Sequence, residues 1–213
     1  MAAHPALATL PPTRRAVLEH LKRHGEETVE ALAAGVAITV SGMRQHLTAL
    51  ERDGLVVYRS ERTGPGRPKH RYRLTPTASA LFPRAYAELT NELLTYLADE
   101  DPDVVERVFA RRGERRVADA RRRTAGRDLG GKVAELTAIL DEDGYLAEFE
   151  ARGDGSYVIV EHNCAIHGVA LRYAAACRSE LAFLQEVLDE AVVRRTFHMM
   201  AGAHVCAYEV VLR

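Results

Sequence analysis

The stretch 38-ITVSGMRQHLTALERDGLVVYR-59 decides how the N-terminal third of this chain folds. Thr39 has the short polar side chain that caps a helix and Gly54 the freedom to end one, so the spacing predicts a helix from Val40 to about Asp53. At about 100° per residue, Met43, Leu47 and Leu50 fall on one side, while Ser41, Gln45, Thr48 and Arg52 gather on the other with Arg44 flanking. The first side packs. The second carries Gln and Arg, which pair with adenine and guanine edges, and hydroxyls that bond bases or phosphates.

Upstream, Thr13 is the expected N-cap of "RRAVLEHLKRHG", in which Val17, Leu18 and Leu21 form an apolar face that Gly25 ends. "TVEALAAG" reads as a second helix ending at Gly35, and with the helix after Thr39 it makes a helix-turn-helix. Downstream, "LVVYRSERTGPGRPKHRYRLT" predicts a strand, a Gly/Pro loop and a second strand, a β-hairpin wing. Six Lys and Arg stand between Arg59 and Arg73 against the single acid Glu61, and Arg67, Lys69 and Arg71 are the wing cations expected to meet phosphates. These segments resemble the winged-helix bacterial regulators over about residues 10–80. The resemblance implies that the helix from Val40 to Asp53 enters the major groove of a double-stranded DNA operator and that the wing tip, Gly64 to Lys69, lies along the backbone or minor groove.

Charge supports that division. Residues 1–78 carry 12 Lys+Arg against 7 Asp+Glu, a net +5, whereas residues 79–213 carry 17 against 23, a net −6. Three cysteines are too few and too odd a number for a disulfide framework. No apolar run is long enough to cross a bilayer and the first residues lack the regions of a signal peptide, so the expected location is cytoplasmic, away from membranes.

Thr75 and Pro76 suit the start of "TASALFPRAYAELTNELLTYLADE", a helix that Pro83 must kink or divide. Its repeat Leu89, Leu93, Leu94 and Leu97 is expected to join two copies into a homodimer, because paired half-sites need two reading heads. From Pro102 to Arg127 runs a basic helix with eight arginines from Arg111 to Arg127, a surface more suited to pairing with the neighbouring acidic segments than to DNA. Beyond it, "GKVAELTAILDEDGY" reads as an amphipathic helix, "LAEFEAR" and "YVIVEHN" as a hairpin, and "VRRTFHMMAGAHVCAYEVVL" as a second hairpin around Gly202 after another helical stretch. The expected fold is therefore α+β: a winged helix-turn-helix (1–80), a helical linker and dimerisation region (81–128), and a small α+β sensor domain (129–213).

The cysteines lie in that last domain. Cys177 falls on the stripe Tyr173, Cys177, Leu181, Leu184 and Leu188, where packing alone accounts for it. Cys164 sits in the polar run "EHNCAIH", and Cys206 shares a strand face with His204. One continuous helix from Ile166 would carry Cys177 roughly 16 Å from the end where Cys164 sits. The two share a site only if the helix breaks between about Tyr173 and Ala176, which would put Cys177 near a helix start, where the dipole favours a thiolate. "YAAAC" holds no Gly or Pro to force that break.

Taken together, the winged helix, "EHNC", twelve residues, "CRSELAFLQEVL", "VVRRTFHMMAG" and "CAYEV" resemble the SufR-type repressors of iron–sulfur cluster assembly genes. That resemblance implies an iron–sulfur cluster, of the 4Fe-4S type, held by Cys164, Cys177 and Cys206, whose bound form represses the genes that make clusters. Some members carry a further cysteine at the position of Ala191, so this chain must complete the site otherwise: with His198, His204, a carboxylate or a small molecule. A two-residue turn at Ala201 and Gly202 would point His198 away from Cys206, and a turn through Ala203 would set it opposite; His198 is taken as the fourth candidate metal ligand. Zinc on the same Cys and His donors, an organic ligand, or thiol oxidation are the alternative signals. Catalysis by Cys164 with His162 or His167 as base lacks an oxyanion-forming glycine motif, and no enzyme activity is expected.

Overall fold

A computed structural model describes residues 5–62 and 68–213. The chain divides into two units, Met1–Arg84 and Ala85–Arg213. In the first, α1 (Pro5–Ala8) precedes α2 (Pro12–His24). Thr13 lies inside α2 instead of capping it, because Pro12 takes the first turn, where a missing N–H costs nothing and φ is already helical. Gly25 ends α2 with φ +81°. Strand β1 (Glu27–Thr28) leads into α3 (Val29–Val36), whose cap Thr28 accepts a 3.3 Å bond from the Ala31 N–H. Gly35 does not end α3. It is needed for space, since a Cβ there would stand 2.1 Å from the His20 ring, and the left-handed turn falls on Ala37 at φ 57°.

Helix α4 (Val40–Arg52) starts where Thr39 Oγ1 accepts from the Gly42 N–H at 3.1 Å, and Gly54, at φ +68°, turns the chain after it. Strands β2 (Val56–Glu61) and β3 (Lys69–Leu74) pair antiparallel from Val56↔Leu74 to Glu61↔Lys69, and β1 adds to the far edge of β3. Leu18, Leu32, Met43, Leu47 and Leu50 fill the core beneath this wing. Thr75 caps α5 (Pro76–Ala80), and Pro83 divides it from the next helix.

The second unit begins with α6 (Tyr86–Glu100), α7 (Val104–Thr124) and α8 (Leu129–Glu142). There follow β4 (Ala147–Ala151), β5 (Tyr157–Glu161), α9 (His167–Ala170), α10 (Ala174–Val187), β6 (Ala191–Phe197), a 3₁₀ turn (Met199–Ala201) and β7 (Cys206–Leu212). The sheet is antiparallel in the order β4-β5-β7-β6, so β7 is central. Ile159, Cys206, Tyr208, Val210 and Val193 meet Val133, Leu136 and Leu140 of α8 and Phe183 and Leu184 of α10 in one apolar cluster. A second cluster joins Leu94 of α6 and Phe109 of α7 to Ala170, Ala175 and Ala176. The architecture is the expected α+β, and no described helix is long and apolar enough to cross a membrane.

The basic helix is α7, and several arginines on or just after it face acids of the same unit. Arg123 bonds Glu135 at 2.7 Å and Glu142 at 2.7 and 2.9 Å, and Arg127 pairs with Glu135 at 2.9 Å. Arg116 bonds both oxygens of Glu180 on α10 at 3.0 Å and Asp143 at 2.9 Å, over the Phe183 ring. The helical stretch after Cys164 is broken. The chain leaves α9 at Leu171 and passes through an extended Tyr173 (φ −124°, ψ 99°) before α10 starts. The phenol of Tyr173 holds that break: it donates to the Asn91 carbonyl at 3.2 Å and shares a 3.0 Å bond with Thr95 Oγ1, both on α6.

The Glu180→Ala variant leaves Arg116, with only 13% of its side chain exposed, facing an apolar interior with Asp143 as its remaining partner. Its unfolding free energy is expected to fall by about 2 to 3 kcal/mol, seen as a lower urea midpoint at unchanged m.

Candidate functional site

On α4 the division of faces is as the periodicity predicts. Met43, Leu47 and Leu50 are buried, and Ser41, Arg44, Gln45, Thr48 and Arg52 are exposed together. Arg44 also borders a cleft of about 430 Å³ that is lined across the wing by Pro68, Lys69, His70 and Tyr72. Lys69 is exposed. Arg71 is committed elsewhere: its guanidinium pairs with Glu61 and donates to the Glu26 carbonyl at 3.3 Å, while Arg59 binds the Glu26 carboxylate at 2.8 Å. These ties stiffen the wing, and Arg71 beside Glu61 holds that carboxyl below the usual range. Arg67 and the Gly64–Gly66 tip lie outside the described residues.

In the second unit the three thiols line one cavity. Cys164 enters from the loop after β5, Cys177 from the first turn of α10 and Cys206 from the start of β7. The helix break makes this possible, since it brings Cys177 to a helix start beside the loop that carries Cys164. The cavity stands where the two apolar clusters meet: Cys164 and Cys177 pack with one, Cys206 with the other. Burial pushes all three thiols up, and at Cys177 it outweighs the lowering effect of Arg195. Cys206 Sγ also accepts the Met199 N–H at 3.4 Å.

The same cavity is lined by Glu161, Arg195, His198, Tyr145, Glu180 and Tyr208. Glu180 is satisfied, with Arg116 at 3.0 Å and the Tyr145 hydroxyl at 3.1 Å. Three other atoms are not: Glu161 Oε1, Arg195 Nε and His198 Nε2 are buried without a hydrogen-bond partner. Such atoms are uncommon in a folded protein, and a water, an ion or a ligand can satisfy them. The turn between β6 and β7 is longer than either hairpin considered from the sequence. The pairing Phe197↔Ala207 sets His198 beside Cys206, and His204 is exposed and lies off the cavity lining. As the side chains stand, the free volume is about 20 Å³, close to the space of one water, so a larger group enters only if side chains turn outward. Among the described residues no three His, Cys, Asp or Glu side chains are grouped to hold a single metal ion.

Residues 10–59 match the helix-turn-helix domain family. That match places a helix-turn-helix domain in the first unit, where α3 and α4 form it. Solved structures similar to this chain include a MarR family transcription regulator, with 22% identity over 46% of this chain and 64% of that one and a TM-score of 0.33. Others are a fragment of a possible transcriptional regulatory protein from Mycobacterium bovis (29%, 44% of this chain and 84% of that one, TM-score 0.30) and a MarR-like regulator from Thermotoga maritima (20%, 54% and 82%, TM-score 0.34). The chain thus spans less than two thirds of the first of these. No curated protein matches it.

A search of the sequence for Cys and His passes over Glu161 and Arg195. The signal for Glu161 is alternation: it shares the inward face of β5 with buried Ile159, an unusual place for an acid. Burial, and then Glu180, push its carboxyl up to about 8. Arg195, Tyr208 and Arg116 oppose that rise, and Cys164, Cys177, Cys206 and His198 share the cavity. The folded chain therefore keeps a proton that an unfolded chain loses near about 4.3. Stability of the thiol form falls as pH rises from about 4 to about 8, by at most about 1.4 kcal/mol per unit, and levels off above. Glu161→Gln is expected to flatten that slope and to melt above the wild type at pH 8, as calorimetry of the metal-free protein would register.

Proposed function

We propose that this chain is a DNA-binding transcription regulator, a SufR-type repressor that senses iron–sulfur supply, with Cys164, Cys177 and Cys206 holding a 4Fe-4S cluster. The observation that carries this reading is the meeting of three thiols from three separate segments around unpartnered buried polar atoms. The donor set fits such a group. Thiolates are the usual ligands of these clusters, and the guanidinium of Arg195 offers an N–H and a positive charge to a centre of net negative charge. When bound, a cluster supplies a redox-active centre sensitive to oxidants and iron supply. The chain's own part is to hold three sulfurs around one cavity and to report their position.

The reporting route runs through α9, which lies between two of the cysteines. Asn91 of α6 donates to the Gly168 carbonyl at 2.9 Å, and Tyr173 bonds the same helix one turn on. A Cβ at Gly168 would stand 2.8 Å from Ala87, so α9 and α6 meet at backbone distance. Helix α6 follows the DNA-reading unit directly and exposes Leu89, Leu93, Tyr96 and Leu97 along one face, which in this reading joins two copies into a homodimer. Seating of the thiols then biases α6, and α6 the spacing of two reading heads.

Anaerobic reconstitution with iron and sulfide is expected to give brown protein containing both, and Ser at position 164, 177 or 206 to abolish or greatly lower the content. A protein that stays colourless overturns the reading, and stoichiometric zinc without sulfide replaces it with a single-ion sensor. On DNA, Gln45→Ala is expected to cost about 1 to 3 kcal/mol and relax specificity at one base pair, whereas Lys69→Ala weakens all sequences alike and lowers the salt slope by about 1. The footprint should cover two half-sites about 34 to 36 Å apart, or a multiple of that. Unchanged binding in both variants, or a single-site footprint, would remove these roles.

A further inference from the structure

Cys206 has neighbours on both sides in the sheet, and each brings a second kind of donor. Glu161 on β5 is its direct cross-strand partner, and on the β6 side the register after Phe197↔Ala207 sets His198 next to it. Both side chains line the thiol cavity and both have a buried atom without a partner. Their settings differ. Glu161 is 2% exposed, its Oε1 has no partner, and its Oε2 has only a long 3.4 Å contact from the Tyr208 hydroxyl. An acid so enclosed cannot turn to water, and the one other buried acid on the cavity, Glu180, has already taken Arg116 and Tyr145. His198 as a whole is only partly buried, though its Nε2 is enclosed, and it follows the last residue of β6.

We propose that Glu161, not His198, is the fourth protein ligand of the centre, binding the one iron that no cysteine reaches. The assignment rests on the cluster reading above. Glu161 binds as a carboxylate, any proton it carries passing to solvent. A carboxylate oxygen is a harder and weaker partner for iron in a cluster than a thiolate, so this iron is the exchangeable one. The fourth ligand then lies on the strand that leads into the Cys164 loop, and not on the turn between β6 and β7.

The test compares wild type, Glu161→Gln, Glu161→Cys and His198→Ala, all full-length, reconstituted anaerobically with iron and sulfide and then given one equivalent of ferricyanide. Iron, sulfide and the electron paramagnetic resonance spectrum are read. Wild type and His198→Ala are expected to behave alike. Glu161→Gln should keep its sulfide yet lose about one iron in four, with the resonance of a three-iron centre. Glu161→Cys should restore the iron and resist the oxidant. Gln matches Glu in size and is neutral, and thermal melts of the metal-free variants identify any that fail to fold. Iron and spectrum in Glu161→Gln equal to wild type, or iron loss confined to His198→Ala, would overturn the assignment while leaving the cluster reading intact. Loss in both variants supports it if Glu161→Cys rescues and overturns it if not. A wild type that takes up no cluster fails the function proposed above, and the ligand with it.

Discussion

Glu180 accepts hydrogen bonds from Arg116 of α7 and from the hydroxyl of Tyr145 in the chain leading to β4, and the thiol cavity depends on that contact. Taking a carboxylate and a guanidinium out of water costs several kcal/mol, which is recovered only where geometry is good and the remaining lone pairs are met. Both Arg116 bonds are 3.0 Å, and the guanidinium also lies 4.3 Å from the centre of the Phe183 ring. Small slides or rotations of α10 are therefore unfavourable. Because Cys177 precedes Glu180 by three residues, less than one turn, the ion pair sets the height of that thiol above β7.

A second set of contacts works from the other end of the same segment. The short α9 is pressed against α6 at a glycine, and Tyr173 is held by two bonds to α6 just before α10 begins. The residues between Cys164 and Cys177 are thus gripped at both ends by parts of the fold that carry no thiol. Any change in the separation of those two sulfurs is resisted by α7 on one side and felt by α6 on the other.

The reading helix was legible in the sequence because its determinants are local: Thr39 as cap, Gly54 after its end, and a 3.6-residue repeat of Met43, Leu47 and Leu50. Where local signals compete, the reading slips. Pro12 displaces Thr13 from the helix start, and Gly35, which looks like a stop, is there to admit the His20 ring. The break before Cys177 has no local cause at all, since "YAAAC" is good helix sequence and Tyr173 is drawn away by partners 78 and 82 residues earlier. The cavity was legible in its thiols and not in its lining. Glu161 and Arg195 come from different strands, and only the sheet register, with a bulge between Arg195 and Phe197 and a 3₁₀ turn before β7, brings them round Cys206.

That register has a consequence for how the protein is made. β7 is the last of the seven strands in sequence and yet lies between β5 and β6. A chain still being synthesised can form α10 and bring Cys164 towards Cys177 through short-range contacts, but the third sulfur arrives only when β7 inserts and completes the sheet. The thiol site is therefore complete only once β7 has paired with both of its neighbours. A partly folded chain offers two sulfurs and no cavity, and stray metal meets a complete set of donors only in a finished fold.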